Sequence, residues 1–351
     1  MGFEIVGARP TGRSRPGTGI LLCQNVCGMN KVKIISRYIR IALCSMLVFG
    51  AACTGEQTDQ EATAVLGNDR PDIIATNAFF YYHDVEAAWK YYQDTLGFET
   101  VVDYGFAKIL RLAESSYLTV VKADEGMHSA DEPKLVTLHL VTDQLNRWHA
   151  YFLQQDAQIE YDVAGGEDML ADSFVVLDTE GYRLRFARYN PHPNHSSFVE
   201  SFANATPVLS TAGEAGDMSI RATSFSVYYA DVESIRPFFE GLFEVTSAGL
   251  INGVPIYQLA GSGFVALEEY GEQELSSPGE NGVTLSFLTS DVDAWFDRAS
   301  AWPGFELRTP EVIDESGLVR VFVGYDPTGI FLEWDTFLDL PENQALIQYL
   351  E

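Results

Sequence analysis

The chain has 351 residues, 46% of them hydrophobic, and it carries 50 acidic against 22 basic side chains, a formal net charge of −28. Its length and apolar content suffice for two or three domains with real cores and exclude a globally disordered chain. The negative charge repels phosphate backbones, so nucleic acid is excluded as a partner. All four cysteines precede residue 54, which leaves the rest of the chain without a disulfide or a cysteine metal site.

The N-terminal segment has the features of an export signal. Residues 1–28 fit neither a domain nor a signal and are interpreted as an over-extended start. Residues 29–53 begin with a basic stretch and continue into the apolar run 41–52, too short to span a membrane but suited to a signal peptide. Small residues before Cys53 resemble a bacterial lipoprotein signal, although Gly50 stands where leucine is usual. We therefore predict lipidation at Cys53 and a membrane-anchored periplasmic lipoprotein of the cell envelope, with a plain secretory signal as the alternative.

Changes in composition divide the rest of the chain. Residues 54–72 are polar and predict a tether. Residues 190–218 are rich in Pro, Ser, Thr and Gly and predict a linker between two domains, 73–189 and 219–339. Residues 340–351 predict a short C-terminal helical tail.

The two domains repeat each other. Three pairs of aspartates share an offset of 147 or 148 residues: Asp84 with Asp231, Asp143 with Asp291, and Asp178 with Asp326. The first two pairs each follow a strand pattern and precede a helical pattern, as N-cap residues do. Short alternating strands follow each helix. We predict an α+β fold of four βαβββ units, with consecutive units paired into two curved, mostly antiparallel sheets, helices outside and a concave face inside.

These motifs resemble the vicinal oxygen chelate superfamily, which includes glyoxalase I, extradiol dioxygenases, and the fosfomycin and bleomycin resistance proteins. Residues 84–98 match its opening pattern, and residues 326–333, Asp-Pro-Thr-Gly-Ile-Phe-Leu-Glu, match its closing pattern. Residues 178–181 are a degraded copy of the closing pattern. The resemblance spans nearly all of both predicted domains and implies two vicinal-oxygen-chelate-like domains. It specifies a fold more than an activity, because one fold hosts many chemistries.

The resemblance also implies where a divalent metal would bind. Its ligands are a His or Gln seven residues before each opening aspartate and a Glu in the last strand of a unit. In this chain the residues seven positions before the four opening aspartates are Asn77, Val136, Ser224 and Thr284. None of them is a histidine or a glutamine.

The closing positions retain a single carboxylate. Glu333 is present in the second domain, whereas Arg185, a donor without an acceptor, takes the place of the ligand in the first. Glu268 could join Glu333 in a weak Mg- or Ca-like site. We therefore predict no cofactor, with a divalent metal at Glu333 and Glu268 in the second domain as the alternative.

Period-two alternation predicts which side chains line each concave face. The predicted ligand pocket of the first domain contains Asn77, Phe79, Tyr81, Arg183 and Arg185. The predicted pocket of the second contains Ser224, Ser226, Tyr228, Thr284 and Ser286. Arg185 would favour an anionic group, unless it forms an internal ion pair, and the aromatic residues could equally fill the core. The same alternation predicts that His139 faces the helices.

Three functions remain open at this stage. The first is non-enzymatic binding of a small molecule in the concave pockets, as in the resistance proteins of the superfamily. The second is a metal-dependent dioxygenase or lyase with its site around Glu333, so whether the protein is an enzyme stays undecided. The third is a scaffold whose acidic surface meets a partner protein. We predict a small-molecule ligand, contact with a membrane only through the lipid anchor, and a homodimer as a further option.

Overall fold

The computed structural model describes residues 70–165, 170–190, 196–251, 253–270 and 281–351. The predicted over-extended start, the signal peptide with Cys53 and most of the tether lie outside these residues, so the lipid anchor and the envelope location stay predictions. Within the described part of the chain, no helix is long and apolar enough to cross a membrane.

The first half of the chain contains two of the predicted units. The first comprises β1 (Ala75–Tyr82), α1 (Val85–Lys90, continued by a π-helical turn Tyr91–Thr95), β2 (Glu99–Asp103), β3 (Ala107–Ala113) and β4 (Ser116–Lys122). The second comprises β5 (Val136–Val141), α2 (Leu145–Gln154), β6 (Ile159–Ala164), β7 (Ala171–Leu177) and β8 (Arg183–Tyr189). Between the halves lie α3 (Ser196–Asn204), β9 (Val208–Leu209) and β10 (Ser219–Ile220).

The second half repeats this order. The third unit comprises β11 (Ala222–Tyr229), α4 (Val232–Phe243), β12 (Gly249–Ile251), β13 (Val254–Gln258) and β14 (Gly263–Glu269). The fourth comprises β15 (Val283–Leu288), α5 (Val292–Ser300), β16 (Glu306–Leu307), β17 (Ile313–Glu315), β18 (Val319–Tyr325) and β19 (Phe331–Phe337). The chain ends in α6 (Gln344–Leu350).

The units form two large mixed sheets. Sheet A has the order β16-β18-β19-β15-β1-β4-β3-β2, with β17 on β18, and sheet B has the order β12-β13-β14-β11-β5-β8-β7-β6. In every unit the first and last strands lie side by side in parallel, and all other neighbours are antiparallel. The predicted α+β class and its four units are confirmed.

The pairing of the units differs from the prediction. Sheet A joins the first unit to the fourth through the antiparallel pair β1–β15, and sheet B joins the second to the third through β5–β11. We expected consecutive units to share a sheet. Each unit exposes the same edge of its first strand, and any other unit can cover that edge. Local sequence therefore does not specify which unit is the partner.

The aspartates of the opening motifs start helices. The Asp84, Asp231 and Asp291 side chains accept the N–H of the residue three positions later, in the manner of an N-cap. Asp143 does not, because α2 begins one residue later, after Gln144. In the second unit the helix therefore begins one residue later, relative to its aspartate, than in the other three units. The strand β5 is shifted by the same one residue.

The closing motif is also structural. Asp178 Oδ1 accepts the backbone N–H groups of Glu180 and Tyr182, and its Oδ2 accepts the hydroxyls of Tyr82 at 2.6 Å and Tyr92 at 2.9 Å. Burial raises the pKa of this carboxyl. Asp326 makes the equivalent backbone bonds in the second half. The aspartate therefore organises the turn in the same way in the full motif and in its degraded copy.

One hydrophobic core lies between the sheets and their helices. It combines residues of all four units, among them the stacked pairs Phe80–Tyr182 at 4.0 Å and Phe322–Trp334 at 4.8 Å between ring centroids. The concave face of each sheet lies on the side opposite to this core.

A short helix occupies part of each concave face. Phe202 of α3 packs on Phe264 of sheet B, with 4.6 Å between ring centroids, and Leu346 of α6 is fully buried against sheet A. α3 begins at Ser196 and α6 at Gln344, an offset of 148 that matches the repeat. The segment 190–218, predicted as a linker, therefore contains the counterpart of the C-terminal tail.

Candidate functional site

The concave face of sheet A contains a cavity of about 370 Å³, here called pocket A. Its walls are largely apolar and include the aromatic residues Phe79, Tyr81, Tyr104 and Phe337. Phe106 and Ile313, which also line it, are 42% and 37% exposed, so they form an apolar rim. α6 covers only one end of the concave face and leaves this cavity open.

Two carboxyl groups lie at the base of pocket A. Glu333 and Asp335 are two residues apart on β19, so both point to the concave side, and both are buried. They hydrogen-bond to each other, and the Ser286 hydroxyl donates to Asp335 Oδ2 at 2.5 Å. Burial raises the pKa of Asp335 to about 7, and burial together with the charge of Asp335 raises that of Glu333 well above its ordinary value.

The pair therefore shares a proton at neutral pH. A carboxylate has no donor, so a hydrogen bond between two carboxyl groups requires that one of them be protonated. Glu315 adds negative charge nearby, and the Arg308 guanidinium, which stacks on Phe331 at 5.2 Å, adds the positive charge that favours ionised Glu333. Such a pair can give or take a proton near pH 7.

A layer of hydrogen-bonded polar groups supports this base. The Tyr81 and Thr284 hydroxyls are 2.8 Å apart, and Asn77 Nδ2 donates to Thr119 Oγ1 at 2.9 Å. Phe79 and Tyr81 line the cavity, whereas Asn77, Thr284 and Ser286 are buried beneath its surface. These three side chains hold the lining residues in place.

The structure regroups the predicted pocket residues by sheet. Asn77, Phe79 and Tyr81 of the first predicted pocket share sheet A with Thr284 and Ser286 of the second. Sheet B takes the remainder: Arg183, Arg185, Ser224, Ser226 and Tyr228. Each predicted pocket is thus divided between the two sheets, because each half of the chain contributes one unit to sheet A and one unit to sheet B.

Sheet B carries a second polar cluster on its concave face. Tyr228 and Thr137 hydroxyls are 2.9 Å apart, and Arg183 Nε donates to Glu160 at 2.8 Å. Arg183 is therefore ion-paired. Within the described residues, Arg185 Nε and Ser224 Oγ are buried without a hydrogen-bond partner.

The prediction for His139 is wrong. Its Nε2 lies 3.0 Å from Ser226 Oγ and 3.7 Å from Glu268 Oε1, on the concave side of sheet B. Burial and the charge of Arg185 lower its pKa well below the ordinary value, so the imidazole is neutral. The error follows from the one-residue shift of the second unit: Val136 packs in the core, and Thr137 is the residue seven before the helix cap.

Some site residues were missed by sequence reasoning. Asp335 was missed, although its position two residues after Glu333 in an alternating strand is a usable signal. Tyr104, Phe106 and Arg308 lie in loops outside the strands, and no local pattern in the sequence directs them to pocket A.

Known structures share this architecture, although no family model and no curated protein match the chain. Glyoxalase I from Zea mays aligns with 80% of this chain and 95% of its own at a TM-score of 0.52 and 11% identity. A provisionally named dioxygenase from Bacillus subtilis aligns with 76% of this chain and 85% of its own at a TM-score of 0.52 and 14% identity. The fold is of the vicinal-oxygen-chelate type. At these identities the similarity concerns the fold alone.

The strand register identifies the positions where the vicinal-oxygen-chelate resemblance implies metal ligands. In sheet A, β19 carries Glu333 opposite Ser286, and β4 carries Thr119 opposite Phe79 at the equivalent point. In sheet B the equivalent residues are Arg185, opposite His139, and Ala266, opposite Ser226. Of these four closing positions, only Glu333 is a strong metal ligand.

The residues present do not fit a resident transition metal. Pocket A offers two carboxyls that share a proton and neutral oxygens that bond to each other, without an imidazole. The predicted partners Glu333 and Glu268 lie in different sheets, so the structure does not bring them together. No group of three or more His, Cys, Asp or Glu side chains in the described ranges is arranged to hold an ion.

Proposed function

We propose that the protein binds a small organic molecule in pocket A without a resident catalytic metal. The observation that carries the proposal is the cavity of about 370 Å³, which stays open between apolar walls although α6 already fills one end of the concave face. A concave, mostly apolar cavity with a few convergent polar groups is the usual form of a small-ligand site.

A variant that narrows the rim tests this function. Ile313→Trp places a bulky ring at the rim of pocket A, where the side chain is 37% exposed and tolerates a larger group. We expect fragments detected by ligand-observed NMR on the wild-type protein to lose at least tenfold in affinity, because the added ring occupies their path or their site.

The matched control is Leu250→Trp. Leu250 is 47% exposed on β12, at the edge of sheet B and outside pocket A, so this variant should bind the same fragments as the wild type. Fragments that bind all three proteins equally would show that pocket A is not the site.

A metal-dependent dioxygenase or lyase centred on Glu333 is the competing function. The observation that favours it is the second carboxyl, Asp335, beside Glu333. Elemental analysis of the purified protein distinguishes this metal-dependent function from metal-free binding. Stoichiometric iron, manganese, zinc or nickel that disappears in Glu333→Ala would support the enzyme, and binding of fragments by metal-free protein would support our proposal.

A further inference from the structure

The charges and rings of pocket A indicate the chemical class of its ligand. We propose that pocket A takes an organic ammonium ion with an aromatic group, whose ammonium lies at the carboxyl groups of Glu333 and Asp335 and whose ring lies against the aromatic residues of the lining. The inference rests on the proposed function and goes further by naming the ligand class.

The first support is the charge of the lining. The lining contains the acidic residues Glu315, Glu333 and Asp335 against one basic residue, Arg308. A fourth acidic residue of the lining, Glu125, is not counted because it pairs with Lys122 at 2.7 Å. The chain as a whole carries a net charge of −28, which draws cations toward it. An anionic ligand would meet repulsion at every stage of entry.

The second support is the shape and composition of the walls. Rings of Phe79, Tyr81, Tyr104, Phe106 and Phe337 line the same cavity as the acid pair. Aromatic faces attract ammonium groups, and more strongly where water is displaced. A bare divalent ion would gain nothing from these rings and would lack a third strong ligand, whereas an aromatic amine uses both the rings and the carboxyls.

The third support is the placement of the two carboxyl groups. Glu333 and Asp335 are two residues apart on β19 and both line pocket A, so an ammonium group with several N–H donors can bond to both of them. The other ionisable groups that face the pair are Arg308, Glu315, Tyr81 and Tyr104.

Three probes that share an indole ring and differ in the charge of the side chain test the inference: tryptamine, tryptophol and indole-3-propionate. By calorimetry at pH 7, we expect tryptamine to bind at least tenfold more tightly than the other two.

The matched variants are Glu333→Gln and Glu306→Gln, the second in an exposed strand outside pocket A. Glu333→Gln should lose at least tenfold in tryptamine affinity with tryptophol unchanged, and Glu306→Gln should behave as the wild type. Equal binding of the three probes would overturn the ammonium inference while leaving pocket A as a binding site. Failure of the fragment test at Ile313 would instead remove the proposed function itself.

Discussion

Replacing Glu333 with glutamine should reduce the loss of stability that the wild-type protein shows between pH 5 and pH 8. Glu333 and Asp335 have pKa values above those of an unfolded chain, which are about 4, and the value for Asp335 is about 7. The folded state therefore binds more protons than the unfolded state in this window, so the free energy of unfolding falls as pH rises. One pKa unit corresponds to about 1.4 kcal/mol, and we expect a loss of ~2–4 kcal/mol.

The measurement is urea unfolding at pH 5, 6, 7 and 8. At pH 5 both carboxyls are protonated, and Glu333→Gln, which has nearly the same shape, should match the wild type within about 1 kcal/mol. At pH 8 the variant should be the more stable protein, because only one buried acid remains to ionise. Exposed Glu306→Gln should follow the wild-type curve. Parallel curves for wild type and Glu333→Gln would contradict the shared-proton pair.

Replacing Asp178 with alanine should cost about 3 kcal/mol of stability. The carboxyl is buried and accepts four hydrogen bonds, two from backbone N–H groups and two from the hydroxyls of Tyr82 and Tyr92. Alanine leaves these donors short of partners in a buried site, at roughly 1 kcal/mol or more each. Thermal and urea unfolding of the purified variant measure the loss.

The same substitution at Asp84 provides the comparison. Asp84 is an exposed helix cap, and its replacement by alanine should cost only about 1 kcal/mol. Equal losses for Asp178→Ala and Asp84→Ala would mean that the closing motif does not organise its turn in the way described.

Much of the fold follows from local sequence. Asp84, Asp231 and Asp291 cap helices because a carboxylate at that point satisfies a free N–H group, and this requirement is local. The offset of 147 to 148 residues then repeats the whole arrangement, down to α3 and α6. Patterns of this kind predict each unit without knowledge of its neighbours.

What the sequence did not predict depends on contacts between distant units. The pairing of β1 with β15 is set by the packing of the complete chain, since the edges of all four first strands are alike. The shift at Gln144 moves the register of β5 by one residue, and a one-residue shift turns every side chain to the other face of the sheet. His139 was misplaced for that reason alone.

The candidate site was predicted in part. Phe79, Tyr81 and Glu333 lie at pocket A as alternation requires, but their neighbours were assigned to the wrong sheet. Arg308 and Phe106 reach the cavity through loops whose course depends on tertiary packing. A binding pocket made by both ends of a chain can be predicted only once the pairing of its strands is known.

The interleaved pairing has a consequence for the ribosome-bound chain. Asn77 lies opposite Ser286, so β1 must wait for more than half of the protein to be synthesised before its central partner emerges. Sheet B is built from the intervening segments, β5 to β14, and can close first. Early synthesis therefore leaves one edge of the aromatic strand β1, Ala75–Tyr82, unpaired until β15 is synthesised, and an unpaired edge is a site for aggregation.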